Sequence, residues 1–137
     1  ALTTGSNNEA VGAQALYSLT TGWNNVGVGD GAGYYNGTGS ANVFMGYQAG
    51  QGQAGYNTDN NVGIGYRSLY KIANSGVNNT TLGFQSGYGI TSGSYNIALG
   101  SFGTVDIITS GSNNILVGQD VQNGVSASAS NQLNLGN

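Results

Sequence analysis

Short apolar triplets recur along this chain, each opened by an asparagine and closed by a glycine. The copies are NEAVG (Asn8–Gly12), NVGVG (Asn25–Gly29), NVFMG (Asn42–Gly46), NVGIG (Asn61–Gly65), NTTLG (Asn79–Gly83), NIALG (Asn96–Gly100), NILVG (Asn114–Gly118) and the variant QLNLG (Gln132–Gly136). The closing glycines, taken as position 0, are Gly12, Gly29, Gly46, Gly65, Gly83, Gly100, Gly118 and Gly136, separated by 17, 17, 19, 18, 17, 18 and 18 residues. Positions −3 and −1 are mostly β-branched or Leu, as in Val26/Val28, Val43/Met45, Val62/Ile64, Ile97/Leu99 and Ile115/Val117. Their shared parity places them on one side of a short strand. The expectation is that they point inward, with Val28, Ile64, Leu82, Leu99 and Val117 forming one continuous column. Position −2 varies (Ala10, Gly27, Phe44, Gly63, Thr81, Ala98, Leu116, Asn134) and is expected to face the other way. Position +3 is small (Ala15, Ala32, Ala49, Ser68, Ser86, Gly103) and +5 is often Tyr (Tyr17, Tyr34, Tyr70, Tyr88), which reads as a second short strand. A polar return follows. It ends in Gly22, Gly39, Gly76, Gly93 or Gly111, three residues before the motif Asn, where glycine supplies a positive φ for a corner.

Two short strands and two tight corners per repeat make one coil of a parallel β-solenoid. The fold class is therefore all-β: a β-roll of about eight 17–19-residue coils, forming a single repeat domain over residues 1–137. At about 4.8 Å per coil it would extend about 38 Å. The chain begins at Ala1 rather than Met and is read as a segment of a longer fibre. Stacked coils bring identical residues to the spacing at which amides hydrogen-bond up and down as a ladder. Asn8, Asn25, Asn42, Asn61, Asn79, Asn96 and Asn114 are expected to form such a structural column, or to occupy a corner that Asn tolerates. The anchor glycines form a second column.

The pattern N-x-[VIA]-x-[VIL]-G-x-x-[AS] with polar, Gly-rich returns resembles the head repeats of trimeric autotransporter adhesins. The longer copies, such as VGAQALYSLTTGWNN and IGYRSLYKIANSG, resemble repeats of bacteriophage tail fibres, and SNQLNLGN is similar to a last repeat before a C-terminal chaperone module. The resemblance covers essentially the whole chain, although the adhesin repeat is shorter. It implies a trimeric β-roll that projects from a surface and attaches to a host. A trimer also follows from the residues. Each coil offers few inward apolar side chains, and the mixed −2 column, with Phe44 and Leu116, is suited to packing against another chain.

Composition narrows the chemistry. Charged residues are 5 % and the net charge is −3, so there is no basic footprint for nucleic acid, and Cys, His and Pro are absent. Solubility rests on Asn, Gln, Ser, Thr and Gly, a composition that suits an extracellular, cell-surface or virion protein. Gly27-x-Gly29-x-x-Ala32 matches a dinucleotide fingerprint only in letters, because the glycine-rich DGAGYYNGTGS that follows cannot open a helix. The acids Glu9, Asp30, Asp59, Asp106 and Asp120 sit at different phases of the repeat, so catalysis, cofactor and metal sites are not expected. Arg67 and Lys71 are read as solubilising.

One stretch breaks the phase. The 19-residue step between the third and fourth copies falls in QGQAGYNTDNN (Gln51–Asn61), and solenoids place variation and binding at such bulges. Tyr56, Asn57 and Asp59 are candidates for surface contact, together with Trp23, the one Trp, which stands at a corner where other copies carry Ser. The function expected is non-enzymatic attachment by a self-associating fibre to a cell-surface glycan or protein receptor, without membrane insertion. The alternative is a structural filament whose subunits stack end to end.

Overall fold

The computed structural model describes residues 4–101, 108–119 and 126–136. Eight three-residue strands follow one another: β1 (Glu9–Val11), β2 (Val26–Val28), β3 (Val43–Met45), β4 (Val62–Ile64), β5 (Thr80–Leu82), β6 (Ile97–Leu99), β7 (Ile115–Val117) and β8 (Leu133–Leu135). Each pairs in parallel only with its sequence neighbours, giving one sheet in the order β1 to β8. The register joins equivalent positions throughout, for example Val26↔Val43, Gly27↔Phe44 and Val28↔Met45. The chain is thus a parallel β-solenoid; its eight motif copies supply eight strands and about six turns.

The faces of the strands are the reverse of the sequence expectation. In β2 to β7 the central residue, position −2, is buried, whereas −3 and −1 are half-buried or exposed. Phe44, Ala98 and Leu116 lie at zero exposure, while Leu82 is 50 % exposed and Ile115 42 %. Val28, Ile64, Leu82, Leu99 and Val117 do line up as a column, but on the outer face of the sheet. The reason is one of volume. Three strand residues give the interior a single side chain per coil, and that site must adapt to what stands opposite, so it varies from Gly to Phe. The uniform aliphatic positions belong to the outside.

The expected second strand is also replaced. The segment after each anchor glycine is a run of overlapping turns. In the second coil Ala32, Tyr34 and Asn36 donate to the carbonyls of Gly29, Gly31 and Gly33. In the fifth, Ser86, Tyr88 and Ile90 do the same to Gly83, Gln85 and Gly87. The first two turns of each run carry a positive φ at their third residue, the type II signature (Gly31 67°, Gly33 63°; Gln85 54°, Gly87 64°). The intervening N–H groups bond to adjacent coils, as Gly31 to Ala13 O and Gly33 to Ala49 O, both at 2.9 Å. The small +3 residues end up inside, with Ala32, Ala49, Ser68 and Ser86 fully buried.

Anchor glycines run from φ 122° at Gly29 to 148° at Gly100, a region closed to other residues. The corner glycines serve differently from expectation. They are needed for close approach: a Cβ on Gly22 would lie 2.1 Å from Gly39 O, and one on Gly111 would lie 1.9 Å from Ala129 O. The corner's positive φ falls instead on the residue before each motif Asn, namely Asn7, Asn24, Ala41, Asn60, Asn78, Tyr95, Asn113 and Asn131, at 56–59°.

Inside, positions −2 and +4 trade volume. Phe44 lies against Gly50, where a Cβ would come within 2.2 Å of the ring. Leu69 fills the space beside Gly63, and Leu16 fills that beside Gly27. Both leucines hold a positive φ to do so (51° and 53°), a conformation costing roughly 1–2 kcal/mol for a residue with a Cβ. A further inward column comprises Leu19, Asn36, Tyr56, Ile72, Ile90 and Ile108. The two-residue insertion therefore does not bulge outward at Tyr56. It turns the ring into the core at 2 % exposure, where its hydroxyl donates to Gly50 O. As a surface contact, Tyr56 is corrected by this burial.

The Asn column forms as a ladder. Each Oδ1 accepts both the N–H and the Nδ2 of the Asn one coil on: Asn25 from Asn42 (both 3.0 Å), Asn79 from Asn96 (both 3.0 Å), Asn96 from Asn114 (3.1 and 2.9 Å). Each Nδ2 also reaches a corner carbonyl of the next coil, such as Asn25 to Gly39 O at 2.9 Å and Asn96 to Gly111 O at 2.9 Å. Every lone pair and proton that matters is matched, and among the described residues no buried side-chain polar atom is left unpaired.

Two outcomes test this interior. Phe44→Ala is expected to cost about 3–5 kcal/mol in denaturant unfolding, because Gly50 and Gly63 leave nothing to refill the void. Burial holds the Tyr56 phenol far above its ordinary value of 10.0. Its contribution to stability is therefore complete below pH 10 and lost as pH rises above it, where the unfolded phenol ionises and the buried one does not. Melting curves between pH 9 and 11 should fall more steeply for the parent chain than for Tyr56→Phe.

Candidate functional site

A second polar column runs beside the Asn ladder at position −6, occupied by Ser6, Trp23, Ser40, Asp59, Val77, Ser94, Ser112 and Ser130. Its hydrogen bonds run the opposite way. The N–H of each coil donates to the side-chain oxygen of the next: Val77 to Ser94 (3.1 Å), Ser94 to Ser112 (3.0 Å) and Ser112 to Ser130 (2.9 Å). In coils two to four this ladder is rewritten. Trp23 N–H donates to Ser40 Oγ at 3.2 Å, and Ser40 N–H donates to Asp59 Oδ1 at 2.6 Å.

An open surface cleft of about 320 Å³ lies where the column departs from Ser, lined by Trp23, Thr38, Ser40, Ala41, Asp59 and Asn60. Its floor is stiff. Ala41 N–H donates to Trp23 O at 2.9 Å and Asn60 N–H to Ser40 O at 3.0 Å, and both residues are locked in the left-handed corner conformation. The Trp23 indole is 53 % exposed. One carboxylate oxygen of Asp59 is taken by Ser40 N–H, and the residue lines the cleft beside the hydroxyl and amide groups of Thr38, Ser40 and Asn60. An apolar ring face beside acceptors and donors on a rigid corner is the chemistry that holds a sugar ring: stacking on one side, hydroxyl recognition on the other.

Two of the four sequence candidates, Trp23 and Asp59, therefore line one cleft, although they lie two coils apart with Ser40 between them. Asn57 is exposed but does not line the cleft. Its Oδ1 accepts the Thr38 N–H at 2.8 Å and its own N–H donates to Asn74 Oδ1 at 2.6 Å, so it is a rung beside the site. Tyr56 is interior. Thr38, Ser40 and Asn60 were missed by the sequence reading. Their signal was their phase, since they share or flank the corner column of Trp23 and Asp59 one coil away. The acids Glu9, Asp30 and Asp59 occupy separate coils and columns, while Asp106 and Asp120 lie outside the described residues. No group of three potential metal ligands occurs among the described residues.

The outer face of the sheet is the other large feature. Of its sixteen −3 and −1 positions, fourteen are Val, Ile, Leu or Met, with Glu9 and Thr80 the exceptions. Val11, Met45, Leu82, Ile97, Ile115, Leu133 and Leu135 are all exposed. Contiguous apolar surface of this kind is uncommon on proteins that stay monomeric in water.

In comparisons with known proteins, no family model, no curated protein and no solved structure matches the chain.

Trp23 occupies a place where Ser would complete the ladder. Trp23→Ser should therefore leave thermal stability unchanged or raise it, by roughly the 1 kcal/mol of one added hydrogen bond. A marked loss in calorimetry would show instead that the indole is a structural cap.

Proposed function

We propose that the chain is a non-enzymatic segment of an attachment fibre displayed on a cell or virion surface, in the manner of a tail fibre or an adhesin head. It holds a receptor-contacting surface rigid and presents the Trp23–Asp59 cleft to a cell-surface glycan. The observation that carries this reading is the cleft itself. It is the place where a column built mostly of Ser carries an exposed indole and a carboxylate, and the indole side chain adds no rung to the ladder. A single carboxylate without a second acid or a base beside it suits recognition rather than bond cleavage.

The working unit in this proposal is a homotrimer closed around the outer sheet face. The sequence argument for assembly through Phe44 and Leu116 does not hold, since both are interior, and the −3 and −1 columns replace it. Their apolar, almost chargeless surface runs along every coil and gives a second copy a regular partner. The composition, rich in amides and hydroxyls and free of Cys, supports an extracellular location.

Both halves are testable. On an array of neutral cell-surface glycans, Trp23→Ser is expected to weaken binding about tenfold or more. Undiminished binding would remove the cleft from the reading. In light scattering the parent chain should be trimeric and Leu82→Asp should dissociate it while circular dichroism keeps the β signal. A parent chain that stays monomeric at micromolar concentration would remove the trimer, and open-ended growth would favour the filament.

A further inference from the structure

Both cations of the chain, Arg67 and Lys71, stand in the fourth coil on a face built of aromatic rings. Position +1 supplies a stacked series: Tyr47 on Tyr66 at 5.4 Å and Tyr66 on Phe84 at 5.1 Å, with planes within 18° and 8° of parallel. Position +5 supplies Tyr70 on Tyr88 at 5.0 Å. The Arg67 guanidinium lies between the two series, 5.9 Å from the Tyr47 ring, 5.3 Å from Tyr66 and 5.1 Å from Tyr70. Lys71 Nζ is 4.8 Å from the Tyr88 ring. Arg67 Nε donates to Gln48 Oε1 at 2.8 Å, which fixes the plane of the fork. Among the described residues no carboxylate pairs with either cation. The nearest acid along the same face among the described residues, Asp30, is two coils away, roughly 10 Å at the inter-strand spacing.

We infer that this face is a second binding site, for an acidic carbohydrate. The sugar carboxylate or sulfate is held by the Nη edge of Arg67, with Lys71 as a second positive charge, and the sugar's apolar face lies along the exposed ring edges of the Tyr47–Tyr66 stack. Three features point to a ligand rather than to solubility. Arg67 is clamped by three rings and one amide, so its donors are oriented before anything binds. A guanidinium meets a carboxylate or sulfate through paired, charge-assisted hydrogen bonds, and no acid among the described residues claims them. The aromatic rings are exposed by 39–48 % in a continuous series, an apolar edge that runs along the face beside Arg67. The +2 column, moreover, carries Gln48 and Gln85 on the two sides of Arg67, so the stack itself calls only for a neutral amide there. This site stands apart from the Trp23 cleft and does not depend on it.

The test uses polygalacturonate and hyaluronan as acidic probes and dextran as the neutral one, by titration calorimetry with the parent chain and with Arg67→Gln. That substitution restores the residue of the neighbouring coils, so the fold should survive; circular dichroism checks it. The parent should bind at least one acidic probe, more weakly as salt rises, and dextran little. Arg67→Gln should weaken the acidic binding about tenfold. Arg67→Lys, which keeps charge but loses the fork, should fall between the two. Equal binding by parent and Arg67→Gln, binding of neither acidic probe by the parent, or loss on Trp23→Ser with Arg67→Gln unaffected would each overturn the proposal. Each would mean that the cations only cap the aromatic stack.

Discussion

A repeat that stacks in register makes every side chain its own neighbour. This single constraint explains most of the composition. A charge placed at a repeated position would face a like charge about 4.8 Å away in each adjacent coil, a repulsion of about 1 kcal/mol per contact even in water. Neutral groups that attract their own kind have no such penalty. Amides pair with amides, hydroxyls pass hydrogen bonds along, phenols stack and aliphatic chains pack. The 5 % of charged residues is the outcome, and each charge that remains stands at a position its neighbouring coils do not repeat. The two polar ladders add direction. Backbone N–H groups donate toward the first coil in the Asn ladder and toward the last coil in the Ser ladder.

The repeat, its period and the Asn ladder were legible in the sequence because they are properties of spacing. What spacing cannot show is which side of a three-residue strand faces the interior. Periodicity marks Val26 and Val28 as equivalent and Gly27 as different, and both assignments of in and out satisfy it. The decisive clue was complementarity within a coil. Phe44 goes with Gly50, Gly63 with Leu69 and Thr81 with Gly87, a trade of volume that only facing positions need. The usual equation of uniform aliphatic columns with the core fails because the strand is too short to supply one. The buried series at Leu19, Ile72, Ile90 and Ile108 was also written plainly, as an apolar residue three or four places before each corner glycine.

The turns were hidden for a different reason. Type II turns in series leave alternate side chains on one side, as a strand does, and the period-two pattern of +3 and +5 is the same for both. Only the glycines at +2 and +4, such as Gly31, Gly33, Gly50 and Gly87, separate them, since glycine adopts the left-handed conformation at no steric cost. At the candidate site, Trp23 was legible as a departure from Ser. Its sharing of a cleft with Asp59 was not, because it requires knowing that the small Ser40 corner stands between them and that Tyr56 folds inward and leaves the cleft open.

The phase of the Asn ladder also sets how such a molecule can change size. Deleting or duplicating one full coil removes or adds one rung in every column and leaves each remaining residue beside an equivalent partner. Any other indel in the strand or the turn run would slide amides against aliphatics in all the coils beyond it. The corner return escapes this, as the insertion at Gln51–Asn61 shows, because surplus residues there are taken up before the next Asn. Reach can therefore be adjusted in whole steps without redesigning the surface, and local novelty is confined to one edge of the rod.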